Sequence, residues 1–124
     1  MAKKKEVLKS SMGGKGRREI KKIPTYINGL DEILNGGLPA ERTTLVVGEP
    51  GSGKTVMGME FVYRGANNGE PGIFLGFEEP LKSLRQNAFT FGWDFPSLER
   101  EGRLSLIEGR LPPEMVVSGQ FSLK

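Results

Sequence analysis

The clearest chemical instruction in the chain is the run Gly48-Glu49-Pro50-Gly51-Ser52-Gly53-Lys54-Thr55. It follows the β-branched and apolar stretch TTLVV (residues 43–47) and fits the pattern G-x-x-x-x-G-K-[ST]. Each residue type has a physical reason. Glycines let the backbone wrap so that successive N–H groups point inward as a nest for an anion. A helix starting at the lysine adds its own N-terminal N–H groups and dipole at the same place. Lys54 is positioned to reach the β- and γ-phosphates of a nucleotide, and the Thr55 hydroxyl is the expected ligand for Mg²⁺. A chance match in a chain of this length is on the order of one in several hundred at average residue usage. The alternative is a Gly-rich strand-to-helix turn that binds nothing. The strand expected before the loop and the helix expected after it favour the phosphate reading.

The second group is Glu78 and Glu79 in FEEP, at the end of the apolar run GIFLGF. In a parallel sheet, loops at the carboxyl ends of strands line the ligand crevice. A carboxylate there can orient the water that attacks a γ-phosphate, or accept its proton. Acids just before Pro80, at a helix start, are equally explained as favourable charges near a helix dipole. Both readings stand on the sequence pattern.

The elements needed to hold these groups can be read from periodicity. NGLDEIL (residues 28–34) has a capping asparagine and early acids, and Asn35-Gly36-Gly37 closes it as a short helix. Residues 43–47 have the composition of a strand covered on both faces. Residues 54–66 read as a helix with apolar residues on more than one face, hence largely buried. Strands are expected at 73–77 and 104–107, with a helix over 81–91 between them. Strand, helix, strand, helix, strand implies parallel pairing with the crossovers packed on the sheet. Helices on only one side leave the other sheet face bare and apolar. Trp93 and Phe95 fall between the last helix and strand. They suit packing better than base stacking.

Composition narrows the chemistry. The 124 residues contain no cysteine and no histidine, which excludes disulfides, thiolate or histidine metal sites and histidine acid–base catalysis. Apolar runs are far too short to span a bilayer, and the basic N-terminus lacks a signal-peptide core. A cytoplasmic protein without membrane contact is the expectation. Residues 1–22 carry nine basic side chains against two acidic ones, a net of +7. Residues 23–124 carry nine against thirteen, a net of −4. The basic character thus belongs to a tail that reads as disordered. It is either an arm for nucleic acid or an acidic partner, or a solubilising leader. The acidic body argues against a broad nucleic-acid face.

Taken together, GLDEILNGGLPAERTTLVVGEPGSGKT, GIFLGFEEP and FGWDFPSLEREGRLSLIEG resemble the KaiC family of RecA-type ATPases, known from circadian clock proteins. The resemblance runs from near Ile23 to the C-terminus. It implies an α/β P-loop domain of RecA/KaiC type, a parallel sheet with flanking helices. It also implies ATP and Mg²⁺ as ligands, ATP hydrolysis in a regulatory or signalling role, and a hexameric ring with nucleotide between subunits. Glu78 and Glu79 then correspond to the family's hydrolytic pair. Some members phosphorylate themselves on Ser/Thr in a second domain, of which nothing is visible here. The family pattern continues to a strand ending in the Walker B aspartate. No such strand follows residues 104–107, so residues 23–124 read as the N-terminal part of the domain, inactive in hydrolysis by themselves. Two other functions stay open: a RecA/RadA-like DNA-dependent ATPase, and a nucleotide-binding piece without turnover.

Overall fold

In the computed structural model the described residues are 20–109. The basic tail read over residues 1–22 lies outside them apart from residues 20–22, as does the chain after Gly109. Two small ladders organise the chain. Strand β1 (Lys22–Ile23) pairs antiparallel with β2 (Leu38–Pro39). Strand β3 (Gly72–Gly76) pairs parallel with β4 (Leu104–Glu108), in a register running from Gly72 opposite Leu104 to Gly76 opposite Glu108.

Helix α1 (Leu30–Ile33) is a single turn between β1 and β2. Its N-cap is Gly29 in the left-handed region, so Asn28 does not cap it. Asp31 instead turns back and accepts from the Thr25 N–H (2.8 Å), the Thr25 hydroxyl (2.7 Å) and the Tyr26 N–H (3.0 Å). Helix α2 (Lys54–Asn67) buries the stripe Met59, Val62 and Ala66, spaced by three and four residues as one helical face requires. The rest of its apolar residues are only half-buried, less than the sequence pattern suggests. Arg103 closes its far end by donating to the Ala66 carbonyl at 2.7 Å.

Helices α3 (Leu81–Thr90) and α4 (Phe95–Arg100) connect β3 to β4. Their buried residues Leu84, Ala88, Phe95 and Leu98 meet the α2 stripe, Trp93 and Leu104 in one core. Tyr63 stacks on Trp93 and Phe95 with ring centroids 5.8 and 6.3 Å apart. Packing is thus the role Trp93 and Phe95 take. A bidentate pair, Arg85 to Glu99 at 2.8 and 2.9 Å, ties α3 to α4.

Helix α4 was not expected from the pattern. Its signal was local: the Asp94 carboxylate accepts from the Ser97 N–H at 3.2 Å, and Pro96 sits in the first turn.

The strand expected at residues 43–47 does not form. The segment joins neither ladder, and Leu45 and Val47 are 82% and 83% exposed. A strand is completed by its neighbour, and each ladder strand among the described residues is paired elsewhere. Strand composition alone therefore does not produce one here. The parallel pairing of the other two strands is as expected. So is the bare apolar face, where Ile73, Leu75 and Ile107 point away from the helices.

Candidate functional site

The loop of residues 48–55 is shaped by its glycines. Gly51 and Gly53 have φ of 83° and 95°, a region that a side chain makes costly. A Cβ at Gly48 would lie 2.4 Å from the Ser52 Oγ. The Ser52 N–H donates to the Glu49 carbonyl at 3.1 Å, which curls the loop. Helix α2 leaves this loop with no side-chain cap. The N–H groups of Lys54, Thr55 and Val56 precede its first bond, from the Met57 N–H to the Gly53 carbonyl (2.9 Å). The Lys54 ammonium folds over the loop and donates to the carbonyls of Gly48 and Glu49. The loop therefore carries uncapped helix donors and a cation on one concave side, a set that fits a phosphate chain.

The glutamate pair meets this loop. A cleft of ≈ 350 Å³ is lined by Glu49, Ser52, Gly53, Lys54, Thr55 and, across from them, Glu78 and Glu79. A second hollow of ≈ 230 Å³ joins Lys54 and Thr55 to the end of β3, again with both glutamates. Every residue that the sequence singled out for the site except Gly48 lines one cleft, Pro50 and Gly51 included. Glu78 is exposed, whereas Glu79 is half-buried and accepts from the Asn87 side chain at 3.4 Å. The helix-charge reading describes the same place. Pro80 is the N-cap of α3, both glutamates precede it, and no acid lies in the first turn.

The residue that the sequence reading missed is Glu108. Its Oε1 accepts from the Leu81 N–H at 3.3 Å, at the start of α3. The missed signal was the same as for the pair: an acid at the carboxyl end of a parallel strand.

Among the described residues no cluster of three or more Asp, Glu, His or Cys can hold a metal by itself. A Mg²⁺ ion here would share Thr55 with the phosphates it arrives with. No described helix is long and apolar enough to cross a membrane.

Outside the cleft, charges serve the scaffold. Burial is the largest single influence on Asp31 and pushes its pKa up, but the bonds from Thr25 and Tyr26 together outweigh it and hold the pKa below the usual 3.8. The Tyr26 hydroxyl donates to Glu70 at 2.6 Å, and this bond, with burial and the Glu70 charge, raises its pKa above 10.0. The bond to Glu99 raises the Arg85 pKa, against a smaller opposing effect of burial.

Comparison with known proteins agrees with this geometry. The chain is similar to the circadian clock oscillator protein KaiC of Thermosynechococcus vestitus, 46% identical over 107 residues, covering 85% of this chain and 21% of that protein. It is similar to the KaiC of Acaryochloris marina, 39% identical over 123 residues, covering 98% of this chain and 24% of that one. The chain thus spans under a quarter of the length of these relatives. The crystal structure of the KaiC-like protein PH0186 from Pyrococcus horikoshii OT3 superposes with a TM-score of 0.70 at 38% identity, over 73% of this chain and 42% of that one. The family model described as "ATPase: KaiC" matches residues 23–118. With the phosphate-loop geometry, the parallel strands and this match in agreement, the chain belongs to the KaiC family of ATPases and has the α/β fold of a P-loop nucleotide-binding domain.

Proposed function

We propose that the chain is an ATP-binding P-loop module of KaiC type, whose nucleotide sits on residues 48–55 and whose hydrolytic carboxylates are Glu78 and Glu79. The observation that carries this reading is the shared cleft, lined by both the glycine loop and the glutamate pair. The backbone N–H groups of the loop and of the α2 head hold phosphate oxygens. The Lys54 ammonium exchanges its carbonyl partners for the β- and γ-phosphates, a stronger charge-assisted bond. Thr55 gives its hydroxyl to Mg²⁺, which when bound neutralises developing phosphate charge. Glu78 and Glu79 orient the attacking water, with Glu79 steadied by Asn87.

The same reading extends to the assembly. A ring of six copies, a regulatory role coupled to hydrolysis and a cytoplasmic location are proposed from the family. Residues 1–22 are proposed as a tail, with residues 23–124 belonging to the ATPase domain. A DNA-dependent activity would rest on that tail alone. DNA binding that weakens with salt and vanishes on deleting residues 1–22 would be its mark.

The test is phosphate release from a chimera in which residues 1–124 replace the matching part of a longer KaiC relative. Lys54-dependent release is expected, and Glu78→Gln with Glu79→Gln should abolish it. Undiminished release by the double variant would remove the pair from the reaction.

A further inference from the structure

We propose that Glu108, assisted by Gly109, is the positioning residue for the loop that carries Glu78 and Glu79. This rests on the reading of those two as the water-orienting carboxylates. The loop is residues 77–80, between β3 and α3, and it is held at its start and its end. At the start, Gly76 is paired with Glu108 in the parallel ladder, and the Gly109 N–H donates to the Gly76 carbonyl at 2.8 Å. At the end, the Glu108 side chain accepts from the Leu81 N–H. At the loop's first residue, the Phe77 ring lies on Gly109, where an added Cβ would come within 2.5 Å of Cε1 and 2.8 Å of Cδ1. Two adjacent residues therefore grip both ends of a four-residue loop, Gly109 by its backbone N–H at the start and Glu108 by its carboxylate at the end.

Helix α3 depends on this grip. Its N-cap is Pro80, which offers no side-chain acceptor, and its first turn has no acid. The carboxylate comes instead from a residue 27 positions away in sequence. It satisfies an otherwise unpartnered N–H and places negative charge at the positive end of the helix dipole. The grip reaches the site through α3 itself, since Asn87 on that helix donates to Glu79. A shift of the α3 start moves Asn87 and with it the Glu79 carboxylate, while residues 48–55 stay in place. Glu108 thus acts on the water-orienting pair and not on phosphate binding.

The test uses the chimera in which residues 1–124 replace the matching part of a longer KaiC relative, and two ligands. Mg·ADP reads the phosphate loop alone. Mg·ADP with fluoroaluminate imitates the in-line transition state, so it also reads the pair through the water it holds. Glu108→Ala should leave Mg·ADP affinity within about twofold and lower the preference for the fluoroaluminate complex at least about tenfold, the equivalent of one broken charge-assisted bond. Glu108→Gln keeps an acceptor oxygen without the charge and should retain most of the preference, well above the Ala variant. Glu108→Asp is one methylene shorter and should not. Amide exchange at Leu81 should quicken in the Ala and Asp variants and not in the Gln variant. If Glu108→Ala proves poorly folded, the Gln and Asp pair decides alone. Unchanged preference and unchanged Leu81 exchange in the Asp and Ala variants would overturn the grip. If Glu78→Gln with Glu79→Gln also keeps the wild-type preference, the catalytic reading of the pair fails as well. If only that double variant loses it, the pair stands and Glu108 does not.

Discussion

Asp31 shows how much one side chain can organise. It accepts from three donors on Thr25 and Tyr26, and Thr25 is only 1% exposed. Replacing it by alanine leaves these donors unpaired, so Asp31→Ala should cost about 1–3 kcal/mol in urea unfolding. The pH dependence follows from the lowered pKa. The contribution is complete above the unfolded value of 3.8 and is lost as pH falls through the lower folded value. Tyr26 behaves oppositely, since its pKa is raised. Its contribution is present below 10.0 and is lost as pH rises through the higher folded value. Acid titration of Asp31→Asn should therefore show a smaller stability loss below pH 3.8 than the parent chain, and an equal loss would remove Asp31 from this role. At this scale the glycine loop proposed to hold phosphate was legible in the sequence, because its glycines, lysine and threonine each have one chemical reason to be there. Asp31 and Glu108 were not. Their partners, Thr25 with Tyr26 and Leu81, are set by how separate elements come together.

Helices α2 and α3 and strands β3 and β4 follow from periodicity because each has one face to bury. The four elements that carry the site were therefore readable before their packing was known. Helix α4 escaped notice because six residues carry too little period, although Asp94 and Pro96 mark its start. Strands β1 and β2, of two residues each, have no period at all. The opposite error occurred at residues 43–47, where a strong strand composition found no ladder. Phe95 on α4 is 0% exposed and touches the helices and β4 through the core. Phe95→Ala should cost about 3–5 kcal/mol, most of the stability of a domain this small. Urea unfolding followed by the fluorescence of buried Trp93 measures it, and a loss under about 1 kcal/mol would mean that α4 is peripheral.

One side of the β3–β4 sheet carries the helices and the other carries Ile73, Leu75 and Ile107 in the open, with Ile73 68% exposed. Apolar surface of this kind drives association. Sedimentation velocity on the 124-residue chain should show concentration-dependent self-association that Ile73→Thr with Leu75→Lys reduces; an unchanged profile would show that this face is not the contact. Among the described residues Lys54 is the one cation that lines the cleft. Phosphoryl transfer depends on complete electrostatic positioning, and an arginine supplied to the transition state is worth about 10³–10⁵ in rate where one is used. The 124-residue chain is therefore expected to bind nucleotide and release little phosphate. Binding is then the direct test of the phosphate site, by isothermal titration of Mg·ADP into the parent chain and into Lys54→Ala. Loss of a charge-assisted contact of about 1.5–3 kcal/mol predicts affinity at least about tenfold weaker in the variant. Equal affinities would contradict the assignment of residues 48–55 as the site that holds the nucleotide.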